Sequence, residues 1–135
     1  NLKYLSTHFD TKKHVEDAGM SIEMAARELR YAWFEKIRKE NGAEAIAVAH
    51  HQDDSVETVL LNLIRGTGIR GLSGMLPKNG KVVRPLLAIF HDDILKYLRE
   101  KEIDSVEDST NAEDVFIRNR IRLKIIPLME TIKFI

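Results

Sequence analysis

Four apolar residues, Ala45-Ile46-Ala47-Val48, run into the polar stretch Ala49-His50-His51-Gln52-Asp53-Asp54-Ser55, and an apolar periodicity at Val56, Val59, Leu60, Leu63 and Ile64 follows. A short continuous apolar run reads as a buried strand, and recurrence every three to four residues reads as a helix. The centre of the chain is thereby committed to a strand, a polar turn and a helix. In open α/β sheets ligands settle in the crevice beyond the carboxyl ends of the strands, where a helix start offers unpaired backbone N–H groups. Two imidazoles (His50, His51) and three acids (Asp53, Asp54, Glu57) converge on this turn, which makes it the candidate functional site.

The remaining composition narrows the chemistry. With 135 residues, 44% of them apolar, the chain is expected to build one core and not two. It contains no cysteine, which excludes disulfides, thiolate nucleophiles and Cys-ligated metal within these residues. No apolar run approaches the roughly 20 residues of a membrane span, and the first residues lack the pattern of a signal peptide, so a cytoplasmic protein without a membrane partner is expected. Twenty-one basic and 21 acidic residues cancel, leaving no global signature for nucleic acid. Locally the charge is uneven: acids crowd residues 100–114, whereas Arg118, Arg120, Arg122 and Lys124 follow without an acid among them. Residue 1 is Asn, and the opening stretch to Asp10 begins without a cap, which is read as the start of a fragment of a longer protein.

Ser21 is a cap for a helix whose apolar positions Ile22, Ala25, Ala26, Leu29, Trp33 and Ile37 keep helical spacing, and Asn41-Gly42 ends it. Arg27, Arg30 and Tyr31 lie off that stripe; solvated arginines are the simpler reading, and contact with a ligand the alternative. After the central helix come Gly66, Gly68, Gly71 and Gly74 within nine residues. Gly66 suits the left-handed position that terminates a helix. The segment is neither a Walker loop nor a dinucleotide fingerprint, and a structural loop is the better reading of it. Val82-Val83 reads as a short strand ending at Arg84-Pro85. A helix from about Asp92 to Lys101 is expected with an Asp at its cap and Ile94, Leu95 and Leu98 inward. Glu107-Asp108-Ser109-Thr110-Asn111 is a turn cluster, and a last helix from about Val115 carries Arg118, Asn119 and Arg122, which share a broad face that suits one anion, the simpler reading being a solvated face or a partner for the acidic segment just before it.

Within the central turn, a first-turn acid gains from the helix dipole, so Glu57 is expected to contribute about a kcal/mol at most to stability. Capping explains one acid and leaves the others unexplained. Asp54 and Glu57, three apart on one face, suit an amine or a hydrated magnesium ion. His50 and His51 are adjacent on a strand end, so only one should reach the same site. Zinc through both is disfavoured, because the spacing of paired metal-binding histidines is missing.

These residues, with Ala26-Arg27-Glu28-Leu29-Arg30-Tyr31 before them and Arg84-Pro85-Leu86-Leu87, Glu107 to Asn111 and Arg118-Asn119-Arg120-Ile121-Arg122 after them, resemble the tRNA(Ile)-lysidine synthetases over roughly residues 16 to 129. The resemblance implies an α/β fold of the adenine nucleotide alpha hydrolase-like kind: a Rossmann-like parallel sheet with flanking helices, truncated at its N-terminus. Residues 1–135 would be part of an N-terminal catalytic domain, with a helical extension from about residues 86 to 135. The implied activity is an ATP-dependent ligation in which the wobble cytidine of tRNA(Ile) is adenylated and the amine of free L-lysine displaces AMP. By the same resemblance Asp54, Glu57, Arg122 and Arg30 would be catalytic. His50, His51, Arg118, Asn119 and Arg27 would bind substrate, Gly66 and Gly68 would touch the cofactor, and Asp54 would meet magnesium. The family's phosphate loop, Ser-Gly-Gly-x-Asp-Ser, occurs nowhere in these residues, so the chain alone is expected to be inactive. The rival readings are a tRNA thiolation enzyme of the same superfamily and a non-catalytic RNA-binding module. Oligomeric state is not legible, a homodimer being compatible with the sequence.

Overall fold

Local capping sets the boundaries of the first helices. In the computed structural model, which describes residues 3–106 and 117–132, helix α1 spans Thr11–Ala18. Asp10 accepts from the Lys13 N–H at 3.1 Å, and Gly19, at φ 62°, closes the helix on the Val15 carbonyl. Sequence periodicity missed α1, although an Asp before it and a Gly after it are the signals a short helix leaves. Helix α2 spans Ile22–Glu40 as expected, with Ser21 accepting from the Met24 N–H and the Asn41 amide donating to the Ile37 carbonyl. Ala25 is the fully buried residue of this helix.

The chain divides into two compact units, residues 1–46 and 47–135. The second begins with the turn that the sequence singled out. Strand β1 is only Ile46–Ala47, and the Val48 N–H donates to the Val83 carbonyl at 3.0 Å. Strands β2 (Lys78–Asn79) and β3 (Val82–Val83) pair antiparallel, Lys78 opposite Val83 and Asn79 opposite Val82, and the sheet order is β1-β3-β2. What stands among the described residues is an α/β arrangement with a small sheet, compatible with the expected Rossmann-like fold but not specific to it. Its antiparallel pair has a local cause: Gly80, at φ 59°, opens a two-residue loop of the kind that folds a chain straight back into a hairpin. The sequence reading had found β3 but not its partner.

Helix α3 covers Gln52–Ile64, and Gly66 follows it in the left-handed conformation at φ 69°. The glycine segment then passes through the short turn α4 (Gly68–Gly71) and lies back along α3. A Cβ on Gly74 would stand 2.7 Å from the Ser55 hydroxyl, and the Met75 N–H donates to that hydroxyl at 3.2 Å. Close packing on α3 is thus the reason for glycine there.

Helix α5 covers His91–Glu100, one residue earlier than expected. From Ile117 to Thr131 the chain is helical without a break: α6 (Ile117–Arg120), a π-helical turn (Ile121–Ile125) and α7 (Ile126–Thr131). Pro127 lacks the N–H that would bond to the carbonyl four residues back, and a widened turn just before it relieves the conflict, with the Ile126 N–H reaching the Ile121 carbonyl. Ile121, 1% exposed, is the apolar centre of this unit. The expected turn Glu107 to Asn111 and the helix start at Val115 lie outside the described residues. No helix among the described residues is long and apolar enough to cross a membrane.

Candidate active site

The first turn of α3 is held by its own acids. Asp54 accepts from the His51 N–H at 3.0 Å, closing a capping box that satisfies a backbone group the helix start would leave open. Asp53 faces outward and accepts from the His91 N–H at 2.8 Å. The cap of α5 is thus a carboxylate lent by α3, while the residue at its own cap position is Phe90, which corrects the expectation of a local Asp. The His51 ring lies between these two acids: Nδ1 is 3.4 Å from an Asp53 oxygen and Nε2 is 3.5 Å from an Asp54 oxygen. His91 packs beside it, ring centres 5.2 Å apart and planes tilted by 41°.

One turn further, Glu57 has no solvent exposure. Arg122 donates from Nε to Glu57 Oε1 at 2.5 Å, and Arg118 Nε stands 3.6 Å from Oε2. Arg118 and Arg122 are four apart on the helical stretch that packs on α3, so both guanidinium groups reach one carboxylate. Arg118 also donates to the Thr58 hydroxyl at 2.8 Å, and that hydroxyl donates to the Asp54 carbonyl at 2.8 Å, tying the arginine to the first turn. The bond to Glu57 raises the Arg122 pKa; burial opposes the rise, and the charges of Glu57, Asp54 and Asp53 support it. Glu57 Oε2 and Arg118 Nε are buried and have no hydrogen-bond partner among the described residues. The plain alternative for Glu57, a solvated helix-end charge, does not describe it: it is a fully buried carboxylate, and two of the four bases, Arg118 and Arg122, reach it from another helix.

A cavity of about 710 Å³ opens over this pair. Its wall carries the carboxylates of Asp53, Glu57, Asp92, Asp93 and Glu130, the imidazoles of His51 and His91, and the guanidinium of Arg122. So many acids around one guanidinium favour a cationic guest that also carries an anionic group. Sequence reasoning missed His91, Asp92, Asp93 and Glu130, which sit on helices far along the chain; the signal available was the pair of acids opening α5.

Of the residues singled out from the sequence, His51, Glu57, Arg122, Arg118 and Asp54 are brought together. His50 points elsewhere: its Nδ1 accepts from Arg84 Nε at 3.3 Å, so His51 is the histidine that faces the cavity. Asn119 is half-buried on α6 between the two arginines' turns. Arg27 and Arg30 are exposed on α2, with the Arg27 guanidinium 4.8 Å above the Tyr31 ring. Gly66 and Gly68 have left-handed backbones at φ 69° and 68°, which accounts for glycine at both positions. Among the described residues no three His, Asp or Glu side chains are grouped to hold a metal ion.

Comparison with known proteins gives a consistent picture. The model of the PP-loop domain family matches residues 2–129. A protein of Bacteroides thetaiotaomicron named tRNA(Ile)-lysidine synthase is 60% identical over 126 residues, covering 93% of this chain and 30% of that protein. Proteins of the same name from Caldanaerobacter subterraneus (50% identical; 84% of this chain, 24% of that protein) and Thermosipho africanus (41%; 98% and 31%) are also similar. The chain spans about three tenths of the length of the curated relatives it matches.

Proposed function

This chain belongs to the PP-loop domain family, and on that premise we propose that it works as part of the catalytic domain of a tRNA(Ile)-lysidine synthase. The reaction joins the amine of L-lysine to C2 of the wobble cytidine of tRNA(Ile), after ATP has converted the C2 oxygen into an adenylate leaving group. A Rossmann-like domain in the cytoplasm, where tRNA is modified, goes with this reading. The observation that carries it is the carboxylate-walled cavity built on the first turn of α3 with a guanidinium in it. Lysine brings two ammonium groups and one carboxylate, and the cavity offers the complementary charges: Asp53, Asp92 and Asp93 for an ammonium, and Arg122, held in place by the buried Glu57, for the carboxylate. Asp53, on the cavity wall beside His51, is the carboxylate proposed to take the proton that the attacking amine must shed, with His51 orienting it. Arg122, on the cavity wall, would also stabilise negative charge released from the adenylate, and Arg118 would support it through Glu57.

The pyrophosphate grip does not fit these residues, since no Ser-Gly-Gly-x-Asp-Ser occurs in them. Magnesium would come with nucleotide oxygens, Asp54 being its one proposed protein ligand, because no ligand cluster exists among the described residues. The test is lysine incorporation into a tRNA(Ile) transcript by the intact enzyme with magnesium and ATP. Wild type should form lysidine, and Glu57→Gln should lower turnover by about 10²-fold or more, the scale of a lost electrostatic or acid–base group. Sulfur incorporation instead of lysine, or Glu57→Gln at wild-type rate, would overturn the reading.

A further inference from the structure

Arg84 is only 9% exposed, and its guanidinium meets no carboxylate among the described residues. Burying a cation without an acid is costly, so the hydrogen bonds it makes instead must be specific ones. Nε donates to His50 Nδ1 at 3.3 Å, Nη1 donates to the Leu76 carbonyl at 2.7 Å, and the Arg84 N–H donates to the Pro77 carbonyl at 2.8 Å. Three segments meet at this one residue: the end of β3, the chain leaving the glycine segment, and the turn between β1 and α3. Only that turn carries chemistry, because His51, the next residue, caps α3 and faces the cavity.

We infer that Arg84 is a positioning residue for the proposed reaction, acting through His50 to hold the turn that delivers His51, Asp54 and Glu57. An imidazole nitrogen that accepts carries no proton, so the bond from Arg84 keeps the His50 ring proton on Nε2 and its Nδ1 bare. It also anchors the His50 ring on the side of the turn away from the cavity, which leaves His51 as the ring that lines it. The guanidinium is suited to the task because its donors diverge in a rigid plane; the ammonium of a lysine is one point with rotating protons and cannot reproduce two fixed directions. A displacement of about 1 Å in a catalytic group costs up to about 10²-fold in rate, so a residue that touches neither substrate nor cavity still matters. The inference rests on the reading of the chain as a lysidine-forming enzyme.

The decisive experiment has two arms in the intact enzyme. In the first, nitrogen NMR of labelled histidine should show His50 with Nδ1 unprotonated and Nε2 protonated, a pattern lost in Arg84→Met; a proton on Nδ1 in wild type would overturn the inference. In the second, Arg84→Met should lower kcat for lysidine formation about 10- to 100-fold. KM for lysine should move less than about threefold, since the cavity acids make no contact with Arg84. Arg84→Lys should recover little of this. His50→Leu should show the same kcat loss, whereas His50→Asn, whose Oδ1 takes the place of Nδ1 and can accept from Arg84, should recover most of it. The Arg84→Met/His50→Leu double variant should be no worse than either alone. Multiplying losses, equal failure of the Leu and Asn variants, or a loss confined to KM would each overturn the inference. If Arg84→Met does not fold, the His50 pair and the wild-type tautomer still decide. Wild-type enzyme that makes no lysidine would sink the proposed function, while the tautomer measurement would still judge Arg84.

Discussion

Glu35 and Glu57 are both carboxylates gripped by arginine, yet they belong to different kinds of structure. Glu35 and Arg38 are three apart on α2, joined by bonds of 2.7 and 2.8 Å, with the Glu35 carboxylate still in contact with water. Glu57 is fully buried, and its partner Arg122 comes from 65 residues further along the chain. For the first pair the helix itself supplies the geometry, and water competes for the carboxylate, so the pair contributes little to folding. For the second, tertiary packing supplies the geometry and burial removes water from Glu57, whose charge then depends on its arginines. A charged bond within one helix is therefore set by local spacing, whereas a similar bond between helices, onto a buried carboxylate, organises a site.

Three changes would sharpen or break this contrast. The largest effect is expected from Arg122→Met, which leaves the Glu57 carboxylate buried with only the more distant Arg118; breaking a buried pair this way costs about 3–5 kcal/mol. Denaturant unfolding of the intact enzyme should show it, and adding Glu57→Gln should restore much of the stability while leaving lysidine formation impaired. A loss under about 1 kcal/mol for Arg122→Met would mean that Glu57 is solvated and the contrast false. Asp53→Ala should cost about 1 kcal/mol, the value of a helix cap, because His91 loses its acceptor. Hydrogen exchange should then quicken at the start of α5 rather than within α3.

The smallest effect is expected at Glu35. The hydrogen bond from Arg38, aided by its charge and that of Lys39 against the opposing pull of burial, holds the Glu35 pKa at about 2, below the ordinary 4.5. A lowered folded-state value means that the pair's contribution is present above pH 4.5 and fades as the pH falls toward 2. Carboxyl NMR should place the Glu35 midpoint near 2 in wild type and near the ordinary value in Arg38→Met, with only a small fall in the unfolding midpoint at neutral pH, where the contribution is present. A large change in stability there would erase the distinction between the two pairs.

Elements whose boundaries are written in neighbouring residues were legible before any coordinates. Ser21 and Asn41 bounded α2, Gly66 closed α3, and Val82-Val83 marked β3, because caps and left-handed turns are local chemistry. The helix α1 and the strand β2 escaped notice although Asp10, Gly19 and Gly80 announce them; eight residues and two residues are too short to establish a periodicity. The cap of α5 was misassigned for a different reason: its acceptor is Asp53, 38 residues earlier in the chain.

The sequence by itself determined that a strand end, two histidines and three acids meet at a helix start, and that an arginine-bearing helix lies downstream. Only the tertiary structure decided that His51 and not His50 faces the cavity, that Glu57 is buried beneath Arg118 and Arg122, and that Arg84 is an interior residue. Periodicity tells which residues share a face of one element. Which face meets which, and therefore which charges lose their water, is a property of the whole packed unit.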